Sequence, residues 1–184
     1  LEYVYKFYPK KYKYKVITGW LERSLYDNLK PFKERRQDQI LNSGAVANMK
    51  LKSRLVSKLI KSKYLDPLKF YKLRTLCNEL SYVDYTSTLQ HEYIGDKYSK
   101  LLEQYTCAIA ASTNVYAPKY FEIPAAGCTT FMEVTDQNYA MHLGFIDNEN
   151  SIFINEKNYK IKFEEYLDDK NNPKWGKIAE NGRR

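Results

Sequence analysis

Three short segments carry side chains able to do chemistry. The first is Ser43-Gly44-Ala45, where a glycine lets backbone approach a ligand and a following helix start favours an anion. The second is Ser112-Thr-Asn-Val-Tyr-Ala-Pro-Lys-Tyr-Phe-Glu122. In it Lys119 and Glu122, three residues apart, share one helix face. Lys119 suits a phosphate, and Glu122 suits sugar hydroxyls that donate hydrogen bonds. The third is Thr129-Thr130 with Glu133, whose hydroxyls could bond a phosphate. Each has a plainer alternative. A glycine after a strand is also a tight turn. A first-turn glutamate also complements a helix dipole, beside a surface lysine. Threonine is also a good strand former.

The elements that must position these residues alternate. Gln39–Ser43 reads as a short strand ending on Gly44, and Leu51, Leu55, Val56, Leu59 and Ile60 follow at helical spacing. A helix after Asp66-Pro67 carries Leu73, Leu76, Cys77 and Leu80, and Tyr82–Tyr85 is a short strand. Gly95-Asp96 precedes a helix with Tyr98, Leu101, Leu102 and Tyr105 on one face. Cys107–Ala111 is a buried-type strand. Pro118 sits at the first position of the helix that ends at Gly127, and Thr129–Val134 is the next strand. Ser151–Ile154, a helix with Tyr159, Phe163, Tyr166 and Leu167, and a last helix from Pro173 with Trp175, Ile178 and Ala179 complete the series. Alternating strands and helices predict an α/β fold, a parallel sheet with helices on both faces. In such a sheet ligands bind outside the carboxyl ends of the strands, where all three segments are expected.

Composition narrows the function. The 184 residues have a net charge of +8, but residues 1–74 carry +13 and residues 75–184 carry −5. A general polyanion binder is therefore not expected, nor is nucleic acid the expected partner. The interleaved Tyr and Lys of residues 3–15 lack the glycine and aromatic order of an RNA-recognition signature. Cys77, Cys107 and Cys128 are scattered, no C-x-x-C pair occurs, and His91 and His142 are the only histidines, so no metal site is expected. Buried thiols of a reducing compartment are. There is no G-x-S-x-G, H-E-x-x-H or Walker A motif. The chain opens on Leu1 and closes in helical character, so both ends are expected to be cuts in a longer protein.

One stretch goes beyond composition. Lys119-Tyr120-Phe121-Glu122-Ile123-Pro124-Ala125-Ala126-Gly127 resembles the "Arg-x-Phe-Glu-x-x-Ala-x-Gly" segment of group 1 glycosyltransferases with the GT-B fold. The branch nearest in character is that of spore-maturation-type and surface-polysaccharide enzymes. The strand Thr129–Glu133 follows in place. Leu143-Gly144-Phe145, Asn150–Ile154 and Ile178-Ala179-Glu180-Asn181-Gly182-Arg183 resemble later stretches, and Asp38–Ala45 resembles the opening strand and glycine turn. The likeness covers most of residues 38–184.

The resemblance implies a Rossmann-like, nucleotide-sugar-binding domain over residues 38–184. Residues 1–37 would then be a connector from an upstream acceptor-binding domain. It implies that Glu122 holds ribose hydroxyls, that Lys119 lies near the diphosphate, and that Gly44 forms the diphosphate-facing turn. Lys52, with Arg54 as the other candidate, falls where relatives place a basic residue. Tyr93–Gly95 falls near the base-binding wall, and Ser112, Asn114 and Tyr120 belong to the same nucleotide-sugar site. Two positions depart from the family: Asn114 stands where relatives carry a glutamate facing the donor sugar, and Lys119 replaces an arginine, losing its bidentate fork. The implied substrate is a nucleotide diphosphate sugar, with no cofactor and no metal. The acceptor would be a glycan or lipid-linked molecule, and the setting cytoplasmic, peripheral at the inner face of a membrane. The alternative is a non-catalytic binding or interaction module that keeps the Rossmann-like fold.

Overall fold

The computed structural model describes residues 21–47, 67–86, 92–93 and 95–184. The expected helix at Leu51–Ile60, the interleaved Tyr and Lys of residues 3–15, Lys52, Arg54 and His91 lie outside them.

The sheet is built from β1 (Ile40–Ser43), β2 (Val83–Thr86), β3 (Cys107–Ala110), β4 (Thr129–Glu133) and β5 (Ile152–Ile154), all parallel, in the order β2-β1-β3-β4-β5. The three central strands are buried along their whole length, as strands covered on both faces must be. Alternate residues divide between two cores. Ile40, Cys107, Ile109 and Phe131 face one side, and Leu41, Ala108, Ala110 and Met132 the other. The helices are α1 (Pro67–Cys77), α2 (Tyr98–Leu102), α3 (Lys119–Ala125), α4 (Tyr159–Asp168) and α5 (Pro173–Arg183).

Leu73 and Cys77 of α1, Phe163 and Tyr166 of α4 and Trp175 of α5 fill the first core. There the Phe131 ring meets Phe163 edge-on at 4.8 Å, and Tyr166 meets Trp175 at 5.3 Å. Leu101 and Leu102 of α2 with Tyr120 and Ile123 of α3 fill the second. The fold is therefore the doubly covered α/β sheet that the strand and helix pattern predicts.

Local chemistry sets the ends of the elements. Gly127 takes φ +68° after α3; its N–H bonds Pro124 O at 2.7 Å, and the Cys128 N–H bonds Ile123 O at 3.3 Å. This pair is a Schellman stop, and glycine is the residue that adopts it without strain. Asn172 caps α5 by accepting from the Lys174 N–H at 2.9 Å, with Pro173 in the first turn. Residues 21–37 pack on the domain. Tyr26 is buried, Phe32 lies against the first core, and Arg36 forms a parallel bridge with Tyr105. Arg35 is buried and donates to Lys30 O at 2.7 Å and to Ala126 O at 2.8 Å.

All three cysteines are buried free thiols. Burial pushes the Cys128 thiol up to about 11, so it stays protonated and inert.

Candidate functional site

Strand order changes direction between β1 and β3, because β2 lies on one side of β1 while β3 to β5 run off the other. Loops leaving two neighbouring strands on opposite sides open a crevice at their carboxyl ends. A cavity of about 420 Å³ occupies this position, with Ser43, Gly44 and Ala45 on one side and Ser112, Val115, Pro118, Lys119 and Glu122 on the other. Tyr71 and Arg74 of α1, with Tyr93, Gly95 and Tyr98, complete the wall.

Gly44 explains how the floor is built. Its φ is +108°, and a Cβ there would stand 2.8 Å from Nη1 of Arg74 and 2.9 Å from Nζ of Lys119. Any side chain would strain the backbone and collide with both cations. The Gly44 N–H donates to Thr86 O at 3.0 Å, and its carbonyl accepts from the Tyr85 hydroxyl at 2.9 Å. The glycine thus serves the pocket by clearing space for two side chains.

Lys119 is only 9% exposed, which overturns its alternative as a surface lysine. Its Nζ donates to Ser43 O and lies 3.4 Å from Ser43 Oγ. Ser43 Oγ is 2.6 Å from the Tyr98 hydroxyl. Arg74 is 4% exposed and donates to Ala45 O at 3.1 Å and to Ala111 O, tying the β1 and β3 exits together. Its guanidinium lies 4.9 Å from the Tyr71 ring centroid, and its Nε has no partner among the described residues.

The two cationic groups lie within about 6 Å of each other, where like charges repel by roughly 3 kcal/mol at an effective dielectric of about 20. Burial and Arg74 hold the Lys119 amine well below its ordinary range, with Glu122 opposing. Burial likewise lowers Arg74, and raises Glu122 against the pull of Lys119. Neither cation forms a salt bridge among the described residues. A floor of a buried guanidinium and a buried amine, neither paired with a carboxylate among the described residues, is complementary to an anion.

The structure brings Gly44, Tyr93, Ser112, Lys119 and Glu122 around this one cavity. Two expected residues are not on its wall. Asn114 sits in the bend between Thr113 and Val115. Tyr120 is fully buried because its ring points into the second core, and its hydroxyl donates to Glu133 O at 2.9 Å and accepts from the Ser112 N–H at 3.1 Å. It holds the ends of β3 and β4 in place from beneath the cavity. Thr129 and Thr130 are also corrected. They lie at the amino end of β4, away from the ligand edge, and their hydroxyls donate to Trp175 O at 2.9 Å and Cys128 O at 3.3 Å. Glu133 stands at the carboxyl end, 4% exposed, with Oε2 unpartnered among the described residues. Burial pushes its carboxyl up to about 7.

Sequence reasoning missed Arg74, Tyr71 and Tyr98. Arg74 lies between Leu73 and the buried Thr75, so a charged residue inside a buried stretch of helix was the available signal. Tyr98 reads in the sequence only as part of an apolar stripe. Among the described residues, no three His, Cys, Asp or Glu side chains gather as a metal site.

The architecture is a Rossmann-like α/β domain with an all-parallel five-stranded sheet. No family model matches the chain, and no curated protein matches it in sequence. Among solved structures it is similar to an S. aureus TarM variant crystallised with fondaparinux, alpha-GlcNAc-glycerol and UDP. The TM-score is 0.52 at 12% identity, over 94% of this chain and 36% of that one. It also aligns with the C-terminal domain of the Francisella tularensis group 1 glycosyl transferase LpcC, at TM-score 0.48 and 13% identity over 92% and 95% of the two chains. A second TarM structure gives 0.45 at 16% identity, over 84% and 32%. At these identities the likeness concerns the fold. The chain spans about a third of the length of TarM.

Proposed function

We propose that this chain is the donor-binding domain of a glycosyltransferase and that the cavity between β1 and β3 takes a nucleotide diphosphate sugar. The observation that carries the reading is the pair Arg74 and Lys119, buried side by side above Gly44 at the carboxyl edge of the sheet. In this reading the diphosphate lies over Gly44 between the two cations. Glu122, one turn beyond Lys119, accepts hydrogen bonds from the ribose hydroxyls. The base lies toward Tyr93 and Gly95. UDP in the TarM crystal agrees with this class of ligand.

The chemistry follows from the charges. Transfer of a sugar leaves a nucleoside diphosphate whose terminal phosphate gains negative charge as the glycosidic bond breaks. Cations fixed in a partly dry pocket stabilise that charge more than they stabilise the intact donor, which lowers the barrier. The diphosphate is held by side chains without a metal ion. The acceptor, a glycan or a lipid-linked molecule, would be held by a further domain joined through residues 1–37. The cytoplasmic setting, peripheral to a membrane, and the surface-polysaccharide or spore-maturation branch belong to the same proposal. No helix among the described residues is long and apolar enough to cross a membrane.

Thermal unfolding with UDP, GDP, ADP and TDP at millimolar concentration tests the reading. One nucleotide is expected to stabilise the chain selectively, and Glu122→Ala to weaken that stabilisation. Equal indifference to all four would sink the proposal. A binding module without transfer is the second reading, favoured by Asn114 where a donor-facing glutamate is expected. Full-length protein that binds a nucleotide sugar but neither hydrolyses nor transfers it across a donor panel would decide for the module.

A further inference from the structure

The pocket floor holds its two cationic side chains in a way that only one of them can keep its charge cheaply. Arg74 Nη1 and Lys119 Nζ both come within 3 Å of the point above Gly44 where a Cβ would stand. Arg74 is anchored by two backbone carbonyls, Ala45 O and Ala111 O, and a guanidinium does not give up its proton in proteins. Among the described residues, Lys119 is held by neutral oxygens alone, Ser43 O and Ser43 Oγ. A neutral amine satisfies this arrangement, because its two N–H groups suffice for the two oxygens, Ser43 O and Ser43 Oγ.

We propose that a dianionic ligand enters this pocket together with a proton, which solvent delivers to the lone pair of Lys119 Nζ, so that a neutral amine becomes an ammonium paired with the ligand.

Among the described residues, the groups facing Nζ come from four elements. Arg74 on α1 disfavours its charge, Ser43 on β1 is neutral, and Tyr98 on α2 acts through the Ser43 hydroxyl. Glu122 on α3 favours the charge, but is itself only partly buried and makes no salt bridge to either cation. Tyr71 and Glu133 act on Arg74. Burial and Arg74 together lower the amine in the empty pocket. A dianion over Gly44 reverses the field at Nζ, and the amine returns toward its ordinary range. The ligand chemistry that fits is a permanent dianion, such as a diphosphate diester, and monoanions fit poorly. The identity of the natural ligand rests on the nucleotide-sugar reading; the proton coupling does not.

Calorimetric titration of the protein at pH 8, in two buffers of different ionisation enthalpy, tests this. The probes are sulfate and a panel of nucleotide sugars, none of which titrates near neutrality. Proton uptake of up to one per bound ligand is expected, with affinity falling as pH rises, by up to about tenfold per pH unit where uptake is complete. The 13Cε resonance of Lys119 is expected to move from amine to ammonium position on adding either probe. Binding without uptake in the wild-type protein would overturn the inference, whatever the variants do. Uptake that persists in Lys119→Arg would move the proton to Glu122 or Glu133 and overturn it as well. Sulfate bound with uptake, and no nucleotide sugar bound more tightly, would keep the coupling and remove the nucleotide reading. Nucleotide sugar bound without uptake would do the reverse.

Discussion

Arg74 and Lys119, forty-five residues apart in the chain, converge on the space that a Gly44 side chain would fill. Gly44→Ala must therefore displace a guanidinium anchored on two carbonyls or an amine anchored on Ser43, and must hold alanine at φ +108°. The strain costs about 1–3 kcal/mol. Thermal unfolding is expected to show a Tm lower by several degrees, and sulfate or nucleotide is expected to give no further stabilisation. An alanine variant as stable and as responsive as wild type would contradict the geometry.

How much of this was legible beforehand can be argued from these residues. The spacing of Lys119 and Glu122 announces a shared helix face, and a strand ending on Gly44 announces a turn at the ligand edge. Both are local signals, and the structure brings all three residues to one cavity. Arg74 was not legible, because its role comes from parallel pairing: β1 and β3 must lie side by side before Ala45 O and Ala111 O stand within reach of one guanidinium. Tyr120 misled for the opposite reason. It sits inside the site's motif, but the helix turns its ring into the core. Thr129 and Thr130 misled because sequence does not tell which end of a strand bears the site.

Glu122 is expected to govern nucleotide preference rather than anion binding. A charged hydrogen bond to a hydroxyl is worth roughly 1.5–3 kcal/mol. Glu122→Gln should therefore weaken a nucleoside diphosphate by about one to two orders of magnitude in Kd, while pyrophosphate, which has no ribose, loses little. Competition between the two ligands on wild type and variant measures the difference. Equal weakening of both would show that Glu122 acts through the charge on Lys119 and not on the ribose.

Glu133 makes stability depend on pH with a definite sign. Its folded-state carboxyl is raised by burial to about 7, above the ordinary value of 4.5. The native state therefore binds the extra proton between these values, and this contribution is fully present below 4.5 and is lost as pH rises through 7. The span corresponds to about 3 kcal/mol. Urea unfolding at pH 5 and pH 8 is expected to show this loss in wild type. Glu133→Gln, which keeps the shape without the charge, is expected to flatten it. An unchanged slope in the variant would assign the pH dependence to other groups.

Arg35 tests whether residues 21–37 belong to the folded unit. Its guanidinium, 7% exposed, donates to Lys30 O and Ala126 O and lies 3.5 Å from the Cys128 sulfur, so it satisfies a carbonyl left over at the end of α3. Arg35→Met keeps apolar bulk but leaves that buried carbonyl without its donor, at a cost of about 1–3 kcal/mol. Arg35→Lys keeps the charge without the fork and is expected to fall between wild type and Met. The check is equilibrium unfolding, read by Trp175, whose ring lies in the opposite core and reports the whole sheet. If all three proteins unfold at the same denaturant concentration, the segment is not part of the cooperative unit.

Arg74→Lys separates charge from geometry in the pocket itself. Lysine keeps the positive charge but is a single point on a flexible stem, unable to bridge two carbonyls and still face a ligand. The loop after β1 and the exit of β3 would lose their common anchor, and an ammonium near Lys119 would meet the same repulsion without the compensating bonds. Diphosphate affinity is expected to fall roughly 10- to 100-fold, the equivalent of one charge-assisted contact. Arg74→Met, which also removes the repulsion, should raise the Lys119 amine in the empty pocket, against the burial that still lowers it. Affinity for sulfate then falls, but its dependence on pH shifts upward. Calorimetry of both variants across pH 6–9 distinguishes the outcomes: a lysine variant that binds as tightly as wild type would reduce Arg74 to a mere charge, and a methionine variant with an unmoved pH profile would show that the two cations do not sense each other.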